Sequence, residues 1–307
     1  MGHLLLNTLK IPNSDAVQAV LIAGPTASGK TALSADIAEK MGAMVINADS
    51  MQVYADLPVL SAQPTAAEKA AAPHLLFGHI AAERNYSVGQ WLVDAREAVA
   101  ECRAQNRTPL FVGGTGLYFK ALLRGLSDIP AVPEEVRARV RAECEGTAPA
   151  EIYARLAKVD PETAVRLRPT DPQRLIRALE IFEAFQTPLA RLQGARQAPL
   201  LEASNCKCVF LAPERPVLNA RIEARFDRMM ERGALDEVAR LRARGLDRSL
   251  PALRAVGVPG LLDHLDGLCA LDEAVARGKR DSRHYAKRQF TFARTQLPEF
   301  EWVAASR

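Results

Sequence analysis

Gly24-Pro25-Thr26-Ala27-Ser28-Gly29-Lys30-Thr31 is the run whose residue types and spacing speak most directly of chemistry. It follows G-x-x-x-x-G-K-[ST]. The glycines let the backbone curl so that successive N–H groups point inward, the lysine supplies a mobile cation, and the final hydroxyl can ligate Mg²⁺. An apolar run, Val17 to Ala23, precedes the loop, and a helical pattern, Lys30 to Met41, follows it. That context is what the motif requires, because a helix N-terminus adds partial positive charge beside the phosphates. The loop indicates a diphosphate but not what the diphosphate carries.

A carboxylate stands where such a loop would use one. The short apolar run Ala43 to Ile46 leads into Asn47-Ala48-Asp49-Ser50. In a parallel sheet the carboxyl end of that strand lies beside the phosphate loop, where ligands collect. Asp49 could there bind Mg²⁺ or act as general base on an incoming nucleophile. Asp and Ser suit a helix N-cap equally well, and residue type alone leaves these readings open. A second turn, Gly113-Gly114-Thr115-Gly116, follows the run Leu110 to Val112 at the same expected edge. Thr115 could exchange a hydrogen bond with a ligand, although glycine-rich turns after strands are usually only turns.

These residues need a scaffold, and the sequence patterns supply one. Apolar runs that read as buried strands recur at Val17 to Ala23, Ala43 to Ile46, Leu75 to Ile80, Leu110 to Val112 and Cys208 to Leu211. Helical patterns such as Lys30 to Met41 and Val88 to Gln105 lie between them. This alternation predicts an α/β fold, a P-loop NTPase-like parallel sheet flanked by helices. From Pro130 to Leu192 no good strand occurs; helix starts appear instead, at Pro133-Glu134-Glu135, Asp160-Pro161-Glu162 and Asp171-Pro172-Gln173. Asp as N-cap, Pro as first helical residue and acids in the first turn all favour that end of a helix. The reading is an all-helical insertion over 128–201 within a catalytic core of 15–127 and 202–307, with 194–206 as the linker candidate. Amphipathic helices over Leu218 to Arg232 and Ala234 to Arg244 and a long basic helix over Ser282 to Leu297 fill the last third.

Bulk properties narrow the function classes. Of 307 residues 48% are hydrophobic, enough to bury a sizeable core. The formal net charge of +4 fits a nucleic-acid partner but decides little until the cations cluster. Cys102, Cys144, Cys206, Cys208 and Cys269 form no CxxC pair and no zinc pattern, so the chain reads as a reduced, cytoplasmic protein. No run approaches the roughly 18 apolar residues of a membrane span, so no membrane partner is expected. Met1 to Ser14 lacks a small-residue cleavage site and reads as a loose N-terminal extension rather than a signal peptide. A monomer is the default expectation.

With these motifs assembled, the chain resembles the tRNA dimethylallyltransferases, over roughly residues 17 to 300. The resemblance rests on blocks in the family's order: GPTASGKT (24–31), NADSMQVY (47–54), YSV (86–88), GGTGLYFKAL (113–122) and DPQRLIRALEIF (171–182). RIEARFDRMMERG (221–233), RAVG (254–257) and YAKRQFTFAR (285–294) complete the set. Together they are highly specific.

The resemblance implies a reaction and a cast of residues. The P-loop, Gly24 to Thr31, would hold dimethylallyl diphosphate with Mg²⁺ at Thr31, and Arg225, rather than Arg221, would add a cation. Asp49 aligns with the family's general base and Thr115 with a residue near the diphosphate and target nucleotide. The acceptor would be N6 of the adenosine immediately 3′ of the anticodon, flipped out of the tRNA anticodon stem-loop. Contacts to tRNA are implied for Asp49, Ser50, Met51, Gln52 and Thr115, and on the insertion for Gln173, Arg174, Leu175, Ile176 and Arg177. Gln173 and Arg177 are four apart and share a helix face. Arg137 reads either as an RNA contact or as part of a solvated helix face, since Arg139 and Arg141 alternate with acids. The segment Arg277 to Arg294 interleaves cations with Tyr285, Phe290 and Phe292, which suits a phosphate backbone and unpaired bases or, equally, a helix docked by its aromatics.

Some positions depart from the family pattern. Leu60-Ser61-Ala62-Gln63-Pro64-Thr65 stands where Gly-Thr-Ala-Lys-Pro-Thr is usual, so Gln63 removes a cation. Leu75 replaces a histidine, Gly78 sits where an acid is common, Val258 replaces a tyrosine and His284 an arginine. These touch substrate contacts rather than the reaction class. Prenylation of free adenine nucleotides is a competing enzyme reading, against which the helical insertion and basic helix argue. An RNA-remodelling NTPase would need a Walker B run ending in an acid, and Leu110 to Gly114 ends in glycines. A non-catalytic RNA-binding module is disfavoured by the intact P-loop and Asp49.

Overall fold

The computed structural model describes residues 17–194 and 196–304, so the N-terminal extension read from Met1 to Ser14 lies outside the described residues. One six-stranded sheet has the order β3-β2-β4-β1-β5-β6. Its strands are β1 (Ala19–Ala23), β2 (Met44–Asn47), β3 (His74–Leu75), β4 (Pro109–Gly113), β5 (Cys206–Leu211) and β6 (Glu301–Val303). Every pairing is parallel, as the alternation of strands and helices predicts. Every residue of β1, β2 and β4 is buried, the mark of strands covered on both faces.

In chain order the helices are α1 (Lys30–Met41), α2 (Ala66–Ala71), α3 (Val88–Ala104), α4 (Gly116–Arg124), α5 (Glu134–Cys144), α6 (Pro149–Val159), α7 (Pro161–Ala164), α8 (Pro172–Phe185) and α9 (Leu189–Leu192). After β5 come α10 (Arg215–Glu231), α11 (Ala234–Ala243), α12 (Val258–Leu265) and α13 (Leu271–Gln296). The chain divides into two compact units. One runs through Leu123 and resumes at Pro199, and the other is Arg124–Ala198.

In the first unit α1 starts from Gly29, whose φ of 94° is left-handed and open to glycine. Leu33, Ile37 and Ala38 of α1 pack with Val20, Val45 and Val112 of the sheet. Trp91 of α3 is fully buried, stacks on Tyr118 at 4.0 Å between centroids, and donates from Nε1 to the Asn47 carbonyl at 3.0 Å. That bond fixes the end of β2, where the sequence reading put the chemistry.

In the second unit α5, α6 and α8 close around Val140, Ile152, Leu156, Leu175, Leu179 and Ile181. Buried Asp160 caps α7 by accepting from the Thr163 N–H at 2.9 Å, and its other oxygen takes the Leu189 N–H at 3.2 Å. Asp171 caps α8 by accepting from the Arg174 N–H at 3.2 Å.

Two sequence expectations need correction, and a third feature was not expected. The strand expected over Leu75 to Ile80 is only His74–Leu75, because Leu76 and Gly78 turn left-handed at φ 63° and 58°. Beyond that turn the Gly78 and Ile80 N–H groups bond to the Gln52 and Val53 carbonyls instead of the sheet. The C-terminal helix begins eleven residues before Ser282, at Leu271. Gly278 does not break it; a Cβ there would stand 2.2 Å from Cζ of Phe226, so the glycine makes room for that ring. The third, β6, is a strand missed altogether. Among the described residues no helix is long and apolar enough to cross a membrane, and all five cysteines are free.

Glu237 of α11 bolts a loop to this core. It is 1% exposed, and its carboxylate accepts the Val59 N–H at 2.7 Å and the Leu60 N–H at 2.9 Å. Burial pushes its pKa up while those N–H groups pull it down. Removing the carboxylate leaves two backbone donors without partners. Glu237→Ala is therefore expected to cost about 1–3 kcal/mol. The measurement is urea unfolding, with a lower midpoint at an unchanged slope. A midpoint equal to wild type would show that the loop does not depend on Glu237.

Candidate active site

The carboxyl ends of β1, β2 and β4 meet around a cavity of about 270 Å³. The phosphate loop follows β1, Asp49 follows β2, and the Gly113–Gly116 turn follows β4. The last two pass very close together. A Cβ on Gly113 would lie 2.0 Å from the Ala48 carbonyl oxygen, so only glycine fits. The Ala48 N–H donates to Val112 at 2.9 Å and the Thr115 N–H donates back to Ala48 at 3.1 Å.

Five charged groups line the cavity: Lys30, Asp49, Arg225, Arg254 and Arg288. Lys30 donates from Nζ to the Gly24 carbonyl at 2.9 Å and the Pro25 carbonyl at 2.7 Å. Burial lowers its pKa to about 7; Asp49 works in the other direction, and Arg225 adds to the lowering. Arg225 is likewise lowered by burial and raised by Asp49. It lies on the α10 face with Ile222, Phe226 and Met229, whereas Arg221 is not part of the cavity lining. Ser28, 1% exposed, has a hydroxyl with no partner inside the loop. Two desolvated cations suit a dianionic group. Among the described residues no three His, Cys, Asp or Glu side chains cluster as a metal site. Thr31 in the cavity could hold Mg²⁺ only together with phosphate oxygens and water, which is how Mg²⁺ is ordinarily shared with a substrate.

Asp49 is not a helix cap, because a turn rather than a helix follows it. Its Oδ1 accepts the Met51 N–H at 2.9 Å. Its own N–H donates to Asn47 Oδ1 at 2.8 Å. Asn47 in turn donates from Nδ2 to the carbonyls of Asp49 at 2.9 Å and Leu76 at 3.0 Å. The carboxylate is thus aimed by buried Asn47. Thr115 accepts the Ser50 N–H at 2.9 Å and donates to Ser50 Oγ at 3.2 Å. Tyr285 of α13 lies at the Thr115 hydroxyl, its own pKa raised by burial first and then by Asp49. Asp49, Ser50, Met51 and Gln52 all line the cavity, and Gln52 also ties its wall by donating from Nε2 to Ser61 at 3.0 Å and Ala62 at 2.8 Å.

The remaining candidates lie on the second unit. Leu175 is fully buried in that unit's core, where its side chain holds α8 in place and leaves only its backbone for an RNA contact. Ile176 packs against the same core, Gln173 is exposed, and Arg174 pairs with Asp171 at 3.3 Å. Arg177 pairs at 3.2 Å with Glu180, which is 2% exposed and also held by Arg141 at 2.9 Å. Arg137 pairs with Glu134 at 2.9 Å. On α13, Arg277, Lys279 and Arg283 pair with Asp263, Asp227 and Glu223 at 2.8, 2.6 and 2.7 Å. Phe290 meets Phe210 at 5.6 Å between centroids, so the aromatics of that helix dock it on the core.

Sequence reasoning named Tyr285 only among the aromatics of the basic helix and passed over Gln289, although both sit in the YAKRQFTFAR block. Gln289 is 7% exposed and bonds to both the P-loop and the Gly114 carbonyl. A glutamine in a basic helix carries no signal of burial. Of the departures, Gln63 and Gly78 occupy one spot: Gln63 donates to the Tyr54 carbonyl at 2.7 Å, and its Oε1 would lie 2.8 Å from a Cβ at residue 78. Val258 is fully buried, and His284 is exposed.

Known proteins resemble this chain along nearly its whole length. The family model "IPP transferase" matches residues 52–296 and "Isopentenyl transferase" matches 17–76. The tRNA dimethylallyltransferase of Beijerinckia indica is 59% identical over 284 residues, 92% of this chain and 94% of the relative. That of Methylocella silvestris is 57% identical over 285 residues, 93% and 94% respectively. A solved eukaryotic dimethylallyltransferase acting on tRNA aligns with TM-score 0.78 and 26% identity, covering 94% of this chain and 74% of that one. The full-length tRNA isopentenylpyrophosphate transferase of Bacillus halodurans aligns with TM-score 0.67 and 34% identity, over 94% and 90%.

The lowered pKa of Lys30 gives the site a proton signature. With a pKa of about 7 the free lysine is mostly neutral at about pH 8.5. A bound diphosphate favours the ammonium, so binding takes up a proton above that pKa and none well below it. Calorimetric titration with Mg²⁺ and inorganic diphosphate, in buffers of different ionisation enthalpy, should show about one proton more for wild type than for Lys30→Met at about pH 8.5. The difference should vanish near pH 6. Equal uptake by both proteins at the higher pH would show that Lys30 is already charged.

Proposed function

The chain belongs to the IPP transferase family of tRNA dimethylallyltransferases, and on that premise we propose that it moves a dimethylallyl group from dimethylallyl diphosphate to N6 of the adenosine immediately 3′ of the anticodon in tRNA. The product is N6-(dimethylallyl)adenosine. The bond between prenyl C1 and the diphosphate oxygen breaks, and diphosphate leaves with the electron pair. A bond forms from N6 to C1, and the N6 proton passes to Asp49.

The observation that carries this reading is one cavity holding both the phosphate loop and an aimed carboxylate. Lys30, Arg225 and the loop N–H groups would neutralise the leaving group, the role for which cations at developing charge are worth most. Oδ1 of Asp49 is committed to the Met51 N–H, and Oδ2 faces Gly114. An exocyclic amine is a poor nucleophile, so a placed base matters. Mg²⁺ bound at Thr31 and the phosphate oxygens would add charge neutralisation. Ser50, Met51, Gln52 and Thr115 would bracket the flipped base, since chemistry on a base requires it to leave its stack. Gln173, Arg174, Arg177, Ile176 and Arg137 of the second unit would hold the anticodon stem-loop. Arg177 is the sharpest of these, because Arg141 keeps Glu180 partnered when Arg177 turns to a phosphate.

Labelled dimethylallyl diphosphate should mark tRNA carrying adenosine 3′ of the anticodon and leave AMP unmarked. Equal labelling of AMP would overturn the tRNA assignment. Asp49→Asn keeps the shape and removes the base, so single-turnover transfer should fall by roughly 10²–10⁴-fold while tRNA binding survives. Near-normal turnover would reduce Asp49 to a turn-forming residue. Arg177→Ala should weaken tRNA binding, lower the salt slope by about one unit, and leave diphosphate affinity unchanged. Intact tRNA affinity in that variant would remove the second unit's α8 from the RNA interface.

A further inference from the structure

Among the described residues Gln289 is the one buried amide that touches both halves of the cavity. Its Oε1 accepts the Thr26 N–H of the phosphate loop at 3.1 Å, and its Nε2 donates to the Gly114 carbonyl at 2.9 Å. A backbone N–H can only donate and a carbonyl only accept, so the two bonds fix which end of the amide is which. The fit has no slack, since a Cβ on Gly114 would stand 2.1 Å from Nε2.

The surroundings show what each bond holds. On the loop side, Thr26 precedes Ala27, a non-glycine residue in the left-handed region at φ 61°. Such a residue persists only when its surroundings hold it there. On the other side, Gly114 precedes Thr115, which carries the Ser50 N–H and so the turn that begins at Asp49. The same stripe of α13 grips the rest of that segment. Phe292 fills the space where a Cβ on Gly116 would lie, at 2.3 Å, and Gln296 accepts from Lys120 Nζ at 2.7 Å.

We infer that Gln289 is a positioning residue for the transfer reaction, a strut that sets the separation of the diphosphate loop from the Asp49–Thr115 corner. It touches neither reacting atom and acts through the backbone of Thr26 and Gly114. The inference rests on the donor and acceptor assignment proposed above. A reaction between two bound partners is sensitive to such spacing, because a misplacement of about 1 Å costs on the order of 10²-fold.

Gln289→Met keeps the length and loses both bonds. It should weaken binding of Mg²⁺ and inorganic diphosphate and slow single-turnover transfer on the order of 10–100-fold, with tRNA affinity unchanged. Gln289→Glu supplies a second readout. Protonated, its carboxyl reproduces both bonds; ionised, it cannot donate to Gly114. Its deficit relative to wild type should therefore shrink as pH falls from about 8.5 to about 6, while the Gln289→Met deficit stays flat. Thermal unfolding of each variant gives the folded fraction. Wild-type diphosphate affinity and turnover in Gln289→Met, or losses that match its unfolded fraction alone, would overturn the strut. So would a pH-independent deficit in Gln289→Glu, which also decides the matter if the methionine variant does not fold. If the wild-type protein itself transfers no prenyl group to tRNA, the functional reading fails, and the diphosphate titrations still decide the strut.

Discussion

The site depends on how closely β2 and β4 approach at their carboxyl ends. The Ala48 carbonyl lies where a side chain on Gly113 would begin, and backbone bonds run both ways between the two segments. This contact puts Asp49 and Thr115 on one edge, one strand away from the phosphate loop after β1. Any side chain at Gly113 would push the carboxylate from the loop, because backbone cannot yield as a flexible side chain can. The parallel sheet makes the arrangement possible, since it sends every strand's carboxyl end to the same side, where ligands of open α/β sheets collect.

Electrostatics then makes the site incomplete without its ligand. Lys30 and Arg225 are both desolvated, Arg225 lowers the tendency of Lys30 to stay charged as Arg228 lowers that of Arg225, and Asp49 is the carboxylate that offsets both. Lys30 bonds only to loop carbonyls among the described residues. Burying polar groups this way is unfavourable unless something later satisfies them. A diphosphate supplies the missing negative charge and acceptors together. The cavity is therefore tuned to a group with concentrated charge, while Phe77, Ile222, Phe226 and Val256 give its wall an apolar part that suits a short hydrocarbon.

The sheet and the phosphate loop were legible because their signals are local: a run of buried apolar residues, a glycine pattern, a helix start. Asp49 was legible by position in the chain, and the structure removes its reading as a helix cap because residues 50 to 53 turn instead of coiling into a helix. What escaped was set by distant contacts. Gly278 looks like a helix breaker until Phe226 fills the gap beside it. Leu76 and Gly78 end β3 after two residues because their partners are the Gln52 and Val53 loop, not the next strand. Gln289 bonds across 263 positions of sequence to Thr26, a distance at which no pattern could signal it. In the basic stretch of α13, three of the cations clustered in sequence, Arg277, Lys279 and Arg283, pair in space with Asp263, Asp227 and Glu223.

The departures from the family pattern follow the same logic of local compensation. Gln63 stands where a lysine is usual and Gly78 where an acid is common, and the two residues meet. Exchanging a cation alone would alter the charge beside the cavity wall that Ser61, Ala62 and Pro64 form. Exchanging both members leaves the local sum unchanged. The amide of Gln63 takes over the structural part of the task by donating to the Tyr54 carbonyl, and Gly78 accepts its oxygen at close range with a left-handed φ that few other residues tolerate. Neither residue reaches the phosphate loop or Asp49 through any hydrogen bond among the described residues. The pair thus shapes the wall without a charge, and the charged side chains that line the cavity are Lys30, Asp49, Arg225, Arg254 and Arg288.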